Sequence, residues 1–348
     1  MKVIPDELIS DIEDAAAAGI LKALSPAVAE KDIHVTDALH ALSRIQLRHV
    51  AHQLNRARGN PAPATLDVAT HLIFAGGTCL SKAHGLIERM SEDIDIKVVL
   101  DAIPPGYALP HRQGDRKRLG DLHDAVERCL SDIGFEYAAA TSGDNPVSRD
   151  NRRYYCLAVS YDARFQDVSG ALRPQLKLEL IHRPPRLPVE TLEMGYLLDS
   201  FIPRERPHRF AMACLSAAET LAEKVLSMLR RCAWNWDGYQ RGTFDTALIR
   251  HIHDVRCIVE SNPASLEAAR TVFADLVRQD AREFRGQHPR FDTDPFAVLR
   301  HTLDAARHRE ALRRDFDQRL SPLIYGDDRP TFDTCFAAFA SAARELLA

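Results

Sequence analysis

Residues 74–96 read FAGGTCLSKAHGLIERMSEDIDI, and the fold turns on this stretch. The apolar run His71–Ala75 ends at Gly76 and Gly77, the pattern of a buried strand running into a tight turn. Residues 79–89 are then expected to be helical. Ile94, Ile96 and Val98 alternate with Asp93, Asp95 and Lys97, and a period of two argues a strand. On such a strand Asp93 and Asp95 share one face and the isoleucines point into a core. Two like charges side by side repel unless a cation lies between them, and hard oxygen donors favour Mg2+ or Mn2+. Gly76 and Gly77 allow the backbone close to a phosphate. Thr78 stands beside them, and Lys82 lies one turn into the following helix. Each part alone reads as an ordinary turn or a half-exposed strand. The order strand, Gly-Gly-Thr, helix, Asp-Ile-Asp strand is much rarer and points to phosphate chemistry.

Outward from this stretch, Gln175–Ile181 alternates again. Lys177 and Glu179 fall on one face, with Leu176, Leu178 and Leu180 on the other. Glu179 is thus a candidate third carboxylate, able to take a proton or complete a metal site. Tyr154–Tyr161 is another strand candidate, and residues 115–133 are expected to be helical. Residues 6–58 also read as helical, interrupted at Pro26, with Val35, Leu39, Leu42, Ile45 and Val50 on one stripe. The loop at 58–63, rich in Gly and Pro, is a candidate boundary. From about residue 211 the chain reads as helices. Ser216 and Glu219 have capping-box spacing, and further helices are expected at 264–281, 295–320 and 331–347. The expected organisation is an α+β fold: an N-terminal helical region at 1–65, a core at 66–210 and a helical domain at 211–348.

The chain has 348 residues, 45% apolar and 27% charged, which excludes a disordered, collagen-like or disulfide-stapled class. No apolar run approaches the roughly 18–20 residues that span a bilayer. The N-terminus carries acids where a signal peptide would carry basic residues, so a cytoplasmic location is expected. The seven cysteines stand singly, which suits reduced thiols. A net charge of −4 gives no general attraction to nucleic acid. Residues 145–260, however, carry 17 basic and 14 acidic side chains, which leaves room for a local cleft that admits one RNA end. Trp234, Trp236, Tyr239, Arg230, Arg231 and Arg241 read either as a base-stacking cluster or as a helix end. His251, His253 and Asp254 form a weak metal motif.

The segment Gly76–Asp95 resembles the nucleotidyltransferase signature of the DNA polymerase β-like superfamily. More narrowly, GGT, LSKA, GLIER and SEDID resemble the AbiEii/AbiGii toxin family, which includes the MenT toxins. Glu30–Thr36 (EKDIHVT), Leu221–Lys224 (LAEK), Arg250–Asp254 (RHIHD) and Pro330–Phe332 are similar to further elements of that family. Cys79, Met90 and His251 depart from its usual residues, and none of these departures removes one of the carboxylates Asp93, Asp95 and Glu179. The resemblance implies a polymerase-β-like core that moves a nucleotide from an NTP. Asp93, Asp95 and Glu179 would hold Mg2+ or Mn2+. Gly76, Gly77, Thr78, Lys82, Arg89, Ser91, Lys177 and Asp254 would serve the nucleotide, and Lys224 would neutralise triphosphate charge. The acceptor it implies is an RNA 3′ end, that of tRNA, with an antitoxin protein as partner. Rival readings are transfer to a protein (including itself at Ser91) or to a small molecule, and a non-catalytic nucleotide-binding module.

Overall fold

The computed structural model describes residues 1–54, 62–110, 114–138, 144–167, 172–173, 175–240 and 242–348. Residues 58–61 of the expected boundary loop, and Arg241, lie outside them. The chain forms an α+β structure of two compact units. The first comprises Met1–Ala83, Ser91–Pro185 and Val189–Cys214; the second comprises His84–Met90, Arg186–Pro188 and Leu215–Ala348.

The alternating segments build the first unit's sheet. Its strands are β1 (Leu47–Gln53), β2 (Thr65–Ala75), β3 (Asp93–Leu100), β4 (Tyr107–Ala108), β5 (Glu136–Tyr137), β6 (Val147–Arg149), β7 (Tyr154–Ser160), β8 (Gln175–Ile181), β9 (Glu190–Gly195) and β10 (Arg209–Cys214). The main path runs β4-β1-β2-β3-β8-β7-β5. Strands β3 and β8 pair in parallel, while β2 with β3 and β7 with β8 are antiparallel. Ile94, Ile96, Val98, Leu176, Leu178, Leu180, Leu157 and Val159 fill one face. Against them pack Val35, Leu39 and Leu42 of α2 (Pro26–Ser43) and Leu119, Leu122 and Val126 of α4 (Asp115–Asp132). Each such buried aliphatic side chain contributes about 1.5–3 kcal/mol. This burial fixes the register, because a slip of one residue would turn the acids of β3 inward. The unit also holds α1 (Asp6–Ala17) and α3 (Gly76–Lys82).

Two local expectations are corrected. The helix expected to run past Val50 stops at Ser43, and β1 follows, paired with residues 65–70 of β2. In β1 the buried His49 and Ala51 alternate with exposed Arg48, Val50 and His52, so Val50 leaves the apolar stripe for solvent. Pairing with a distant strand overrides the local helical spacing. The helix expected at 79–89 is only α3, ending at Lys82. Gly85 beyond it takes a positive φ of +63°, and residues 84–90 belong to the second unit.

The second unit is helical: α5 (Ala217–Trp236), α6 (Arg250–Ser261), α7 (Ala264–Glu283), α8 (Pro289–Thr293), α9 (Pro295–Ala306), α10 (Glu310–Asp315) and α11 (Phe332–Leu346). Leu221, Val225 and Leu229 of α5 are buried at helical spacing. The Ser216 hydroxyl caps α5 by accepting the Glu219 N–H at 3.2 Å. Glu219 Oε2 accepts the backbone N–H groups of Arg186 and Leu187, each at 2.8 Å. The long helix expected at 295–320 is broken into α9, α10 and a short π-helical turn at Phe316–Leu320.

Candidate active site

The register of β3 and β8 places Asp93 opposite Lys177 and Asp95 opposite Glu179. All four side chains therefore stand on the sheet face opposite the aliphatic core. Asp95 also faces Ala75, the last residue of β2, one residue before the Gly-Gly turn. Gly76 has φ +76°, and a Cβ there would lie 2.0 Å from Asp95 Oδ2. Only glycine combines that backbone with so close a carboxylate. The Thr78 hydroxyl donates to the Asp93 carbonyl and lies 3.0 Å from Ser91 Oγ. The turn and the start of β3 are thereby fastened to each other.

The carboxylates attract cations from the protein itself. Lys177 Nζ pairs with Glu179 Oε1, and the Arg173 guanidinium pairs with Asp93 Oδ1. Burial works against the charge on Lys177, but Glu179 and Asp93 outweigh it and hold the ammonium's pKa above its ordinary value. Tyr154 on β7 donates its hydroxyl to Glu179 Oε1 at 3.3 Å. Arg173 was not legible as a site residue, because it lies in a loop without periodicity. Lys82 turns elsewhere: its ammonium meets Asp32 Oδ1 at 2.6 Å and is nearly buried.

Among the described residues no three His, Cys, Asp or Glu side chains close around a common point that would hold a metal ion. In donor chemistry, Asp93, Asp95 and Glu179 do fit a hard divalent cation. They offer oxygen alone, on two strands in fixed register, and the face already draws Arg173 and Lys177. His251 and His253 enter no such cluster.

The second unit gathers the other charged candidates. Arg89 binds Asp254 through both nitrogens of one edge, Nε to Oδ1 at 2.8 Å and Nη2 to Oδ2 at 2.6 Å. Lys224 Nζ reaches the same Oδ2 at 2.8 Å. All three are buried, and Asp254 is 0% exposed. Burial alone would raise the Asp254 pKa. Arg89 and Lys224 overcome it and hold the carboxyl well below the usual range. A fork-to-carboxylate pair of this geometry fixes both partners. Lys224, the LAEK lysine, is thus buried and paired. Of the basic-aromatic cluster, Trp234 is buried against His288 and Phe291 at centroid distances of 4.8 and 4.7 Å, and Tyr239 is exposed. Arg230 bonds Asp280 at 2.9 Å.

With this geometry established, comparison with known proteins places the chain. Residues 64–338 match the family described as nucleotidyl transferase AbiEii toxin, type IV TA system. The chain belongs to this family of nucleotidyltransferase toxins. Among solved structures it is similar to MenT4, a nucleotidyltransferase toxin from Mycobacterium tuberculosis H37Rv. The two share 18% identity over 97% of this chain and 88% of the other, with a TM-score of 0.45. Comparison with curated proteins returns no match. Among the described residues no helix is long and apolar enough to cross a membrane.

Proposed function

We propose that this nucleotidyltransferase moves an NMP from an NTP onto an RNA 3′ end, that of tRNA, and that the carboxylate face of β3 and β8 carries the chemistry. The observation behind this reading is the register Asp93–Lys177 and Asp95–Glu179 beside the Gly76–Thr78 turn. Asp93, Asp95 and Glu179 are the residues that would hold Mg2+ or Mn2+. Such an ion, when bound, supplies charge stabilisation to the attacking and leaving oxygens.

The chain's own groups supply the rest. Glu179 accepts the proton of the acceptor hydroxyl, and Tyr154 and Lys177 orient its carboxylate. The hydroxyl oxygen forms a bond to the α-phosphorus, the bond from that phosphorus to the β-phosphate oxygen breaks, and pyrophosphate leaves. The backbone of Gly76, Gly77 and Thr78 lies against the phosphates, and Ser91 donates to them. Within the second unit, Asp254 is the anion that fixes Arg89 and Lys224 in place. Lys82 supports the turn from its pair with Asp32.

The reading places catalysis on the sheet of the first unit, as a polymerase-β-like core, in a cytoplasmic protein held in check by a cognate antitoxin. Its test is incubation with each labelled NTP, total RNA and cell protein. Label at the 3′ end of tRNA is expected; label confined to protein, to Ser91 of the chain itself or to a small molecule overturns the acceptor assignment.

A further inference from the structure

Of the family-like element EKDIHVT only Asp32, through its pair with Lys82, enters the reading above, yet its first three residues are among the most unusual in the chain. Glu30, Lys31 and Asp32 are consecutive charges in the first half of α2, and all are buried, at 1%, 0% and 5% exposure. Burying a charge is costly unless it is paired and hydrogen-bonded. Successive helix residues project about 100° apart, so three in a row can reach three different places.

They do so here. Glu30 accepts the backbone N–H groups of Arg164 and Phe165, each at 2.8 Å. Asp32 takes Lys82 Nζ and, at 2.7 Å, the N–H of Leu197. Lys31 binds Glu92 Oε2 at 2.5 Å, the Arg173 carbonyl, and the Gln175 carbonyl at 3.2 Å. Glu92 Oε2 in turn accepts the Arg173 N–H at 2.9 Å.

The partners of Lys31 have a common property. Glu92 directly precedes Asp93 at the start of β3, and Gln175 is the first residue of β8, two before Lys177 and four before Glu179. One ammonium therefore brackets the starts of both carboxylate-bearing strands. Beyond these, the ladder sets the register of the two strands and the Arg173 guanidinium meets the Asp93 carboxylate, while Lys31 holds the backbone of Arg173 itself.

We propose that Lys31 is a positioning residue for the divalent-cation site: by gripping Glu92 and the Arg173 and Gln175 carbonyls, it sets the spacing of Asp93 from the carboxylate of β8. This inference rests on the carboxylate reading above. Lys31 touches neither nucleotide nor metal and acts only through the strand ends.

The test is Mn2+ binding by calorimetry on the full-length chain, alongside thermal unfolding and nucleotidyl-transfer kinetics, for five forms of the protein: wild type, Lys31→Met, the charge-free pair Lys31→Met with Glu92→Gln, Glu30→Gln and Asp95→Asn. The pair leaves no unpaired buried charge, and the amide introduced by Glu92→Gln keeps an acceptor for the Arg173 N–H, so it is the form most able to fold. Loss of an outer partner of a metal site costs about 10–100-fold in affinity. Lys31→Met and the pair should each weaken Mn2+ binding to that extent and lower kcat similarly, with the KM for NTP within about threefold. The pair should regain unfolding temperature without regaining Mn2+ affinity. Glu30→Gln, equally buried on the same helix, should lose unfolding temperature and keep Mn2+ affinity. Wild-type Mn2+ binding by the folded pair, or an equal loss in Glu30→Gln, would overturn the role of Lys31 while Asp95→Asn still fails to bind. If Asp95→Asn binds Mn2+ like the wild type, the carboxylate reading itself falls, and this inference with it.

Discussion

Asp95 and Glu179 are direct register partners on the neighbouring parallel strands β3 and β8. Their pairing joins parts of the chain more than eighty residues apart on one face. Glu179 also receives Lys177 and Tyr154, so its orientation is set by neighbours on two strands. If it takes the acceptor proton, Glu179→Gln keeps the shape and loses the base. General-base removal costs about 10²–10⁴-fold in rate, and that loss is expected in kcat with an unchanged circular dichroism spectrum. A loss of less than about tenfold would remove Glu179 from the proton transfer.

Gly76 tests the turn. Alanine there would place a methyl group 2.0 Å from Asp95 Oδ2 on a backbone at φ +76°. A left-handed alanine costs about 1–2 kcal/mol before any clash. Gly76→Ala should therefore lower the denaturant midpoint and, by displacing Asp95, abolish transfer. Retained activity would show that Asp95 can move without consequence.

Asp254 holds two cations in the second unit and is itself fully buried. Asp254→Asn leaves Arg89 and Lys224 without their anion, a loss of about 3–5 kcal/mol for broken buried pairs. Chemical denaturation followed by tryptophan fluorescence, which reports Trp234 and Trp236 of α5, measures it. Because this carboxyl's pKa is depressed, its contribution is complete above about pH 4 and fades only as pH falls through the lower folded value.

Much of this was legible because period two survives in sequence. The acids of β3 and the Lys177–Glu179 face of β8 follow from alternation, and both strands lie where it puts them. Strand β1 was hidden because its pairing with β2 is long-range and its apolar residues fit a helical stripe. The buried Lys31 and the loop residue Arg173 were illegible for another reason. Charge in a sequence signals exposure, and only the folded chain shows which charges have been enclosed and by what.

Two buried histidines give the first unit a defined pH response. Burial holds His34 at about 3 and His123, stacked on Tyr155 with Arg152 nearby, at about 4. Both are neutral when folded and take protons once unfolded, near pH 6.5. Their stabilisation is complete above pH 6.5 and is lost as pH falls toward those folded values. Each contributes a slope of about 1.4 kcal/mol per pH unit within that window. His123→Phe preserves the ring stack and removes one titration, so the pH dependence of unfolding between 6 and 4 should flatten by about one proton. An unchanged slope would show that His123 is protonated in the folded chain.

The most direct test of the central claim is nucleotidyl transfer by Asp95→Asn, a change of one oxygen to an amide at the residue shared by β3, the Gly76 turn and the Glu179 register. With labelled NTP, a divalent metal and total RNA, the wild type should label RNA, and the folded variant should show no transfer above background. Wild-type transfer by folded Asp95→Asn would contradict the assignment of this carboxylate face to catalysis.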